Sequence, residues 1–138
     1  MIFSGVNYIA VVIATLAGFG LGAVWYMVLG KVWLRAIGKT EAEIKQEQGA
    51  AKALPFIIAL VAQFVMALML AGLMGHLSDV TIKGGVISGF FVWVGFVITT
   101  MGVNHAFGGA KPMLTLIDGG HWLAVLLVMG AVIGAFGV

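Results

Sequence analysis

Leu54-Pro55-Phe56-Ile57-Ile58-Ala59-Leu60-Val61-Ala62-Gln63-Phe64-Val65-Met66-Ala67-Leu68-Met69-Leu70-Ala71-Gly72-Leu73-Met74-Gly75 is a run of 22 residues without a charged side chain. A bilayer's hydrocarbon core is about 30 Å thick and an α-helix rises about 1.5 Å per residue, so about 20 apolar residues cross it. This run is long enough, and it is apolar around its whole circumference, with Gln63 as its one polar amide. Three further stretches meet the same test, from Val6 to Val28, from Gly84 to Asn104 and from Leu114 to Phe136. None of the four holds Lys, Arg or Glu, and the acid they enclose is Asp118, near the start of the fourth.

Composition agrees with a chain solvated by lipid. Of the 138 residues 62% are hydrophobic and 9% charged, with a mean hydropathy of +1.18, whereas soluble domains have about 25% charged residues. Transmembrane strands are excluded because they are about 9–11 residues long with alternating polarity. Helices satisfy every backbone polar group internally, which a water-free environment demands. The expected fold is all-α: a single transmembrane domain, residues 1–138, built as an integral membrane four-helix bundle with spans near 6–28, 54–75, 84–104 and 114–136. The start of the chain lacks the Lys or Arg of a cleavable signal, so the first apolar segment is expected to be retained.

The connections set the expected orientation. Residues 29–53 carry Lys31, Arg35, Lys39, Lys45 and Lys52 with Glu41, Glu43 and Glu47, and Lys111 lies in the third connection. Six of the seven basic residues thus belong to the first and third connections. Cytoplasmic loops are enriched in Lys and Arg, so these two connections are expected in the cytoplasm and both termini on the non-cytoplasmic side. The membrane is the cell membrane, the inner membrane if the source is a Gram-negative bacterium. Gly30 to Ile37 reads either as a short amphipathic helix at the interface or as an extension of the first span. The lipid bilayer is the expected partner of the basic residues, not nucleic acid.

Helices associate in lipid through small residues that let backbones approach. Ala10, Ala14, Gly18 and Gly22 recur every four residues on the first span, and Ala59, Gln63, Ala67, Ala71 and Gly75 on the second. Gly85 and Gly89 form such a pair on the third span, and Gly130 and Gly134 on the fourth. Gly18, Gly22, Gly130 and Gly134 are therefore expected to pack helices. Trp25, Tyr26, Trp33 and Trp122 lie near the cytoplasmic boundary, where aromatic rings anchor spans at the headgroups.

Asn104, His105, Asp118 and His121 are the candidate site. They come from the end of the third span and the start of the fourth, so a short connection holds them at similar depth. Asp118 and His121, three residues apart, share a helix face, and ionisable groups inside a membrane are functional candidates because burying them is costly. The set is expected to form a polar cluster. It lacks the ligand number and spacing of a metal site, and no cofactor motif or nucleophile accompanies it; with no cysteine in the chain, thiol chemistry is excluded. No enzymatic activity and no cofactor are expected.

Thr99-Thr100-Met101-Gly102-Val103-Asn104-His105-Ala106-Phe107, Ile117-Asp118-Gly119-Gly120-His121 and Leu127-Val128-Met129-Gly130-Ala131-Val132-Ile133-Gly134, together with Trp25-Tyr26 and Gly30-Lys31-Val32-Trp33, resemble the DUF1761 family of small four-span bacterial membrane proteins. In that family a proline usually follows the aromatic pair, where this chain has Met27, Val28 and Leu29. The family's function is unknown, so the resemblance implies the architecture and no reaction. Two functional expectations stand. The first is a structural or accessory protein that binds other membrane helices and self-associates as a homo-oligomer. The alternative is an oligomeric channel or transporter for a small solute or ion, with Gln63, Thr99, Thr100, Asn104 and Asp118 toward a polar cytoplasmic mouth.

The orientation can be read from single cysteines at Ser4, Gln48 and Ser78, since the chain has none of its own. A membrane-impermeant maleimide on intact cells is expected to label positions 4 and 78 and to spare position 48. The opposite pattern would reverse the orientation.

Overall fold

The computed structural model describes residues 3–45 and 50–137. Residues 46–49 of the basic connection, Glu47 among them, lie outside the described residues. The elements are α1 (Tyr8–Ile37), α2 (Glu41–Lys45), α3 (Ala50–His76), α4 (Ile82–Val92), a π-helical turn (Trp93–Val97), α5 (Ile98–Phe107) and α6 (Pro112–Phe136), with no strand among the described residues. The π-helical turn joins α4 to α5, so the two form one span, and four helices among the described residues are long and apolar enough to cross a membrane.

Local chemistry sets the ends. The Asn7 side chain accepts from the Ala10 N–H at 3.1 Å and starts α1. Gly38, at φ +74°, ends it with its N–H on the Arg35 carbonyl, a left-handed position that glycine adopts without a Cβ penalty. α1 therefore runs unbroken through Gly30 to Ile37, as an extension of the first span. Met27, Val28 and Leu29 continue the helix, where a proline would remove a hydrogen bond and clash with the preceding turn. Thr81 starts α4 by accepting from the Gly84 N–H at 2.9 Å. Pro112 opens α6 at a position where its missing N–H costs nothing.

α6 is the centre of the bundle. It packs most extensively on α4 and α1, while α3 lies mainly against α1. Of its most apolar stretch 44% is buried, against 11% for the Ile82–Phe107 span, so α6 is surrounded and the third span stands at the edge. The core is Val11 from α1, Met74 from α3, and Val125 and Met129 from α6, all fully buried, with Leu70, Leu126 and Ile133 around them.

Glycine sets the closeness of α4 and α6. A Cβ built at Gly85 would overlap the backbone of Gly130, and one built at Gly130 would overlap Gly85. At Gly89 it would stand 2.7 Å from the Leu126 carbonyl oxygen, and at Gly134 it would run into the Thr81 carbonyl. Backbone rests on backbone along two turns, the contact that small residues permit in lipid.

Gly130→Val is expected to lower the thermal unfolding midpoint of the purified protein in detergent, because overpacking a well-filled contact costs about 1–3 kcal/mol and here the obstacle is backbone. Gly20→Val is the control: nothing lies within 4 Å of a Cβ at that position. Equal midpoints for the two variants would remove the close α4–α6 contact.

Candidate functional site

The row of small residues on α1 leaves room that polar side chains from two other helices fill. Ala10, Ala14, Gly18 and Gly22 are all buried. Opposite Gly18 stands the Gln63 carboxamide of α3, whose oxygen would be 2.7 Å from a Cβ there, with Met129 and Val125 of α6 beside it. One turn along, Gly22 faces the His121 ring of α6, whose Nε2 would be 2.8 Å from a Cβ. The glycines thus make space for side chains as well as for backbones.

Gln63 is 3% exposed and His121 5%, and both keep a buried polar atom, Gln63 Oε1 and His121 Nδ1, without a hydrogen-bond partner. Gln63 lies 11 residues from Lys52 and 13 from His76, about 17 and 20 Å along the axis and so near mid-span. Thr15, also buried, differs because its hydroxyl donates to the Val11 carbonyl at 2.8 Å.

His121 is ringed by aromatics. Its centroid is 5.0 Å from Tyr26, 4.5 Å from Trp122 and 6.5 Å from Trp25. The Tyr26 hydroxyl donates to Asp118 at 2.6 Å, joining α1 to α6, and its ring meets Trp33 edge-on at 5.8 Å. The Trp25 indole donates to the Ile117 carbonyl at 3.1 Å, and the Trp93 indole to the Gly119 carbonyl at 2.8 Å. Three aromatic donors from two helices thus converge on the segment Ile117–Gly119 of α6. Together they hold Asp118 in place.

The four residues read as one cluster are divided. Asp118 and His121 join Tyr26 and the tryptophans, whereas His105 pairs with Thr115 at 2.7 Å. The Asn104 side chain lies on an exposed face without a hydrogen bond among the described residues. The reason is geometric: adjacent residues on a helix diverge by about 100°, and the α6 residue that faces His105 is Thr115, one turn nearer the helix start than Asp118. Thr99 and Thr100 face outward, with their hydroxyls on the Gly95 and Phe96 carbonyls, so they share no surface with Gln63 and Asp118. Among the aromatics, Trp25 and Tyr26 do more than anchor, since both hydrogen-bond to α6. Trp93 escaped the sequence reading, although an indole N–H in the middle of an apolar span needs an acceptor and signals one.

Two spaces flank this arrangement. A cavity of about 700 Å³ opens at the opposite end of the bundle among Asn7, Ala71, Gly75, His76 and Ile133. Val11, Met74 and Met129, all fully buried, belong to the apolar core, and Met129 stands beside Gln63 at Gly18. A groove of about 390 Å³ runs between α5 and α6 past Gly102, Ala106 and His105. Among the described residues no three His, Cys, Asp or Glu side chains gather to hold a metal.

The arrangement is a row of polar side chains, Asp118, His121 and Gln63, that runs inward from the basic end to the apolar core of Val11, Met74 and Met129. Asp118, Tyr26, Trp25 and Trp33 are each half-buried, while His121 and Gln63 are buried.

Comparison with known proteins places the chain in a family without assigning it a reaction. Residues 9–134 match the family model described as a protein of unknown function, DUF1761. No curated protein matches the chain. No solved structure matches it. With four apolar helices and a family match over nearly its whole length, the chain belongs to the DUF1761 family.

Proposed function

We propose that this membrane protein handles a small solute or ion, which it takes up among Asp118, Tyr26, His121 and Gln63. The observation that carries this reading is the pair of unpartnered polar atoms on Gln63 and His121, buried within the spans. A buried polar group without a partner costs about 1–3 kcal/mol. A bundle held together only for structure gains nothing from these side chains, since replacing buried polar groups by apolar ones of similar shape is often neutral or stabilising. A bound solute or water supplies the partners they lack. The core side chains Val11, Met74, Val125 and Met129 are fully buried, so passage across the membrane needs a change of packing, and the behaviour is that of a carrier rather than of an open pore.

In proteoliposomes containing a pH- or cation-sensitive dye, the protein is expected to move protons or monovalent cations faster than protein-free vesicles do. Asp118→Asn should abolish that flux without lowering the unfolding midpoint, because the amide keeps an acceptor for Tyr26. Gln63→Leu should leave the midpoint equal or higher while reducing flux. Loss of stability in Gln63→Leu, together with no flux in the parent protein, would return the polar row to a structural role.

A second reading, self-association, is favoured by the third span. Gly95 and Gly102 have nothing within 4 Å of where a Cβ would be, and Thr99 between them has its hydroxyl satisfied by its own helix. Glycine in a helix costs about 1 kcal/mol relative to alanine, and lipid returns none of it, whereas the same span of a second copy returns it through close contact. Most soluble homo-oligomers are two-fold dimers, which pair the same patch on both copies. A single cysteine at Thr99 is therefore expected to cross-link as a dimer in membranes, and Gly102→Ile to suppress that product. Monomer alone in both cases would leave this face to lipid.

A further inference from the structure

The chemistry around Asp118 is more selective than "small solute", and resting on the reading above it names a class. Of the five acids in the chain, Glu47 is outside the described residues, Glu41, Glu43 and Asp79 lie outside the spans and Asp118 lies inside one. Six residues after Pro112, it is about 9 Å along α6. Among the described residues it makes no ion pair, and its carboxylate accepts from the Tyr26 hydroxyl. A carboxylate at this depth costs several kcal/mol unless a cation or water meets it.

What surrounds it decides the kind of cation. A hard ion such as calcium takes six to eight oxygens, and magnesium an octahedron of oxygen ligands, whereas here one carboxylate and one phenol are followed by rings. Trp25, Tyr26, Trp33, His121 and Trp122 form a continuous set, with neighbouring centroids 4.5 to 6.5 Å apart. Aromatic faces attract large, weakly hydrated cations, most strongly where water is excluded. His121, 5% exposed with its Nδ1 unpartnered, belongs to the same set. We propose that Asp118 and this aromatic set form a binding site for a lipophilic organic cation, a quaternary ammonium, phosphonium or protonated amine with apolar substituents, entering from the basic end of the bundle. The carboxylate supplies the opposite charge, the rings supply the faces, and the Tyr26 hydroxyl holds the carboxylate in position.

Radiolabelled tetraphenylphosphonium, bound to the purified protein in detergent, tests the site, with competition by unlabelled tetraphenylphosphonium defining the specific part. Saturable binding is expected. Asp118→Asn should weaken it at least tenfold while leaving the unfolding midpoint unchanged. Tyr26→Phe and Trp33→Ala should each weaken it about threefold or more, and the distant Gly20→Ala should not change it. Binding that is not saturable, that survives Asp118→Asn, or that the neutral triphenylphosphine oxide competes for equally would overturn the proposal, since each marks partition into apolar surface. Absence of tetraphenylphosphonium binding with Asp118-dependent flux of protons or monovalent cations intact overturns the organic-cation class and spares the solute-handling reading. Loss of both removes both.

Discussion

How closely the backbone of α6 can approach its neighbours governs this bundle. In lipid no hydrophobic gain accompanies the meeting of two apolar helices, and attraction must come from dispersion at short range. Gly130 against Gly85, Leu126 against Gly89 and Gly134 against Thr81 bring α6 onto α4 at backbone contact. On its other side α6 meets α1 through Gly18 and Gly22, and there the missing side chains admit Met129, Val125 and His121. Glycine thus does two different things on the two sides of one helix.

The second use of glycine is what makes a polar interior possible. Gln63 and His121 occupy volume that a methyl group on α1 would take, and they come from different helices, α3 and α6. Their depth follows from the approach of the helices; Gln63 has the apolar Val125 and Met129 beside it, and His121 the rings of Tyr26, Trp25 and Trp122. Toward the basic end the same helix pair offers Tyr26 and Asp118 to each other. The polarity of the interior therefore falls off along the axis, from a paired carboxylate, through a buried imidazole and a carboxamide, to the dry core of Val11, Met74 and Met129.

The third span is built differently, and the reason is visible in its middle. A π-helical turn at Trp93–Val97 accommodates an extra residue, a feature often found at functional sites, and it lies where the Trp93 indole reaches the Gly119 carbonyl. Beyond it α5 has no buried residue. The α4 half is thus fastened to α6 by glycine contacts, and the α5 half, less extensively, by Ile98 and Met101 against Gly119 and by the His105–Thr115 hydrogen bond.

Run length and charge by themselves determined that this chain crosses a membrane as helices, because uninterrupted apolar segments near 20 residues have no other way to satisfy their backbones. Small-residue spacing also singled out glycines such as Gly18, Gly22, Gly130 and Gly134, and Asp118 stood out as the acid within a span. The partners were beyond reach of spacing alone. That Gly85 meets Gly130, that Gly22 makes room for His121, and that Tyr26 reaches Asp118 across 92 positions depend on how each helix is rotated about its axis. Rotation is decided by the simultaneous packing of all the helices, and with segments apolar on every face no amphipathic pattern records it. The same reason separates Asn104 and His105 from Asp118 and His121: a loop fixes which helix ends meet, and only tertiary packing decides that His105 meets the turn at Thr115 and that Asn104 turns away.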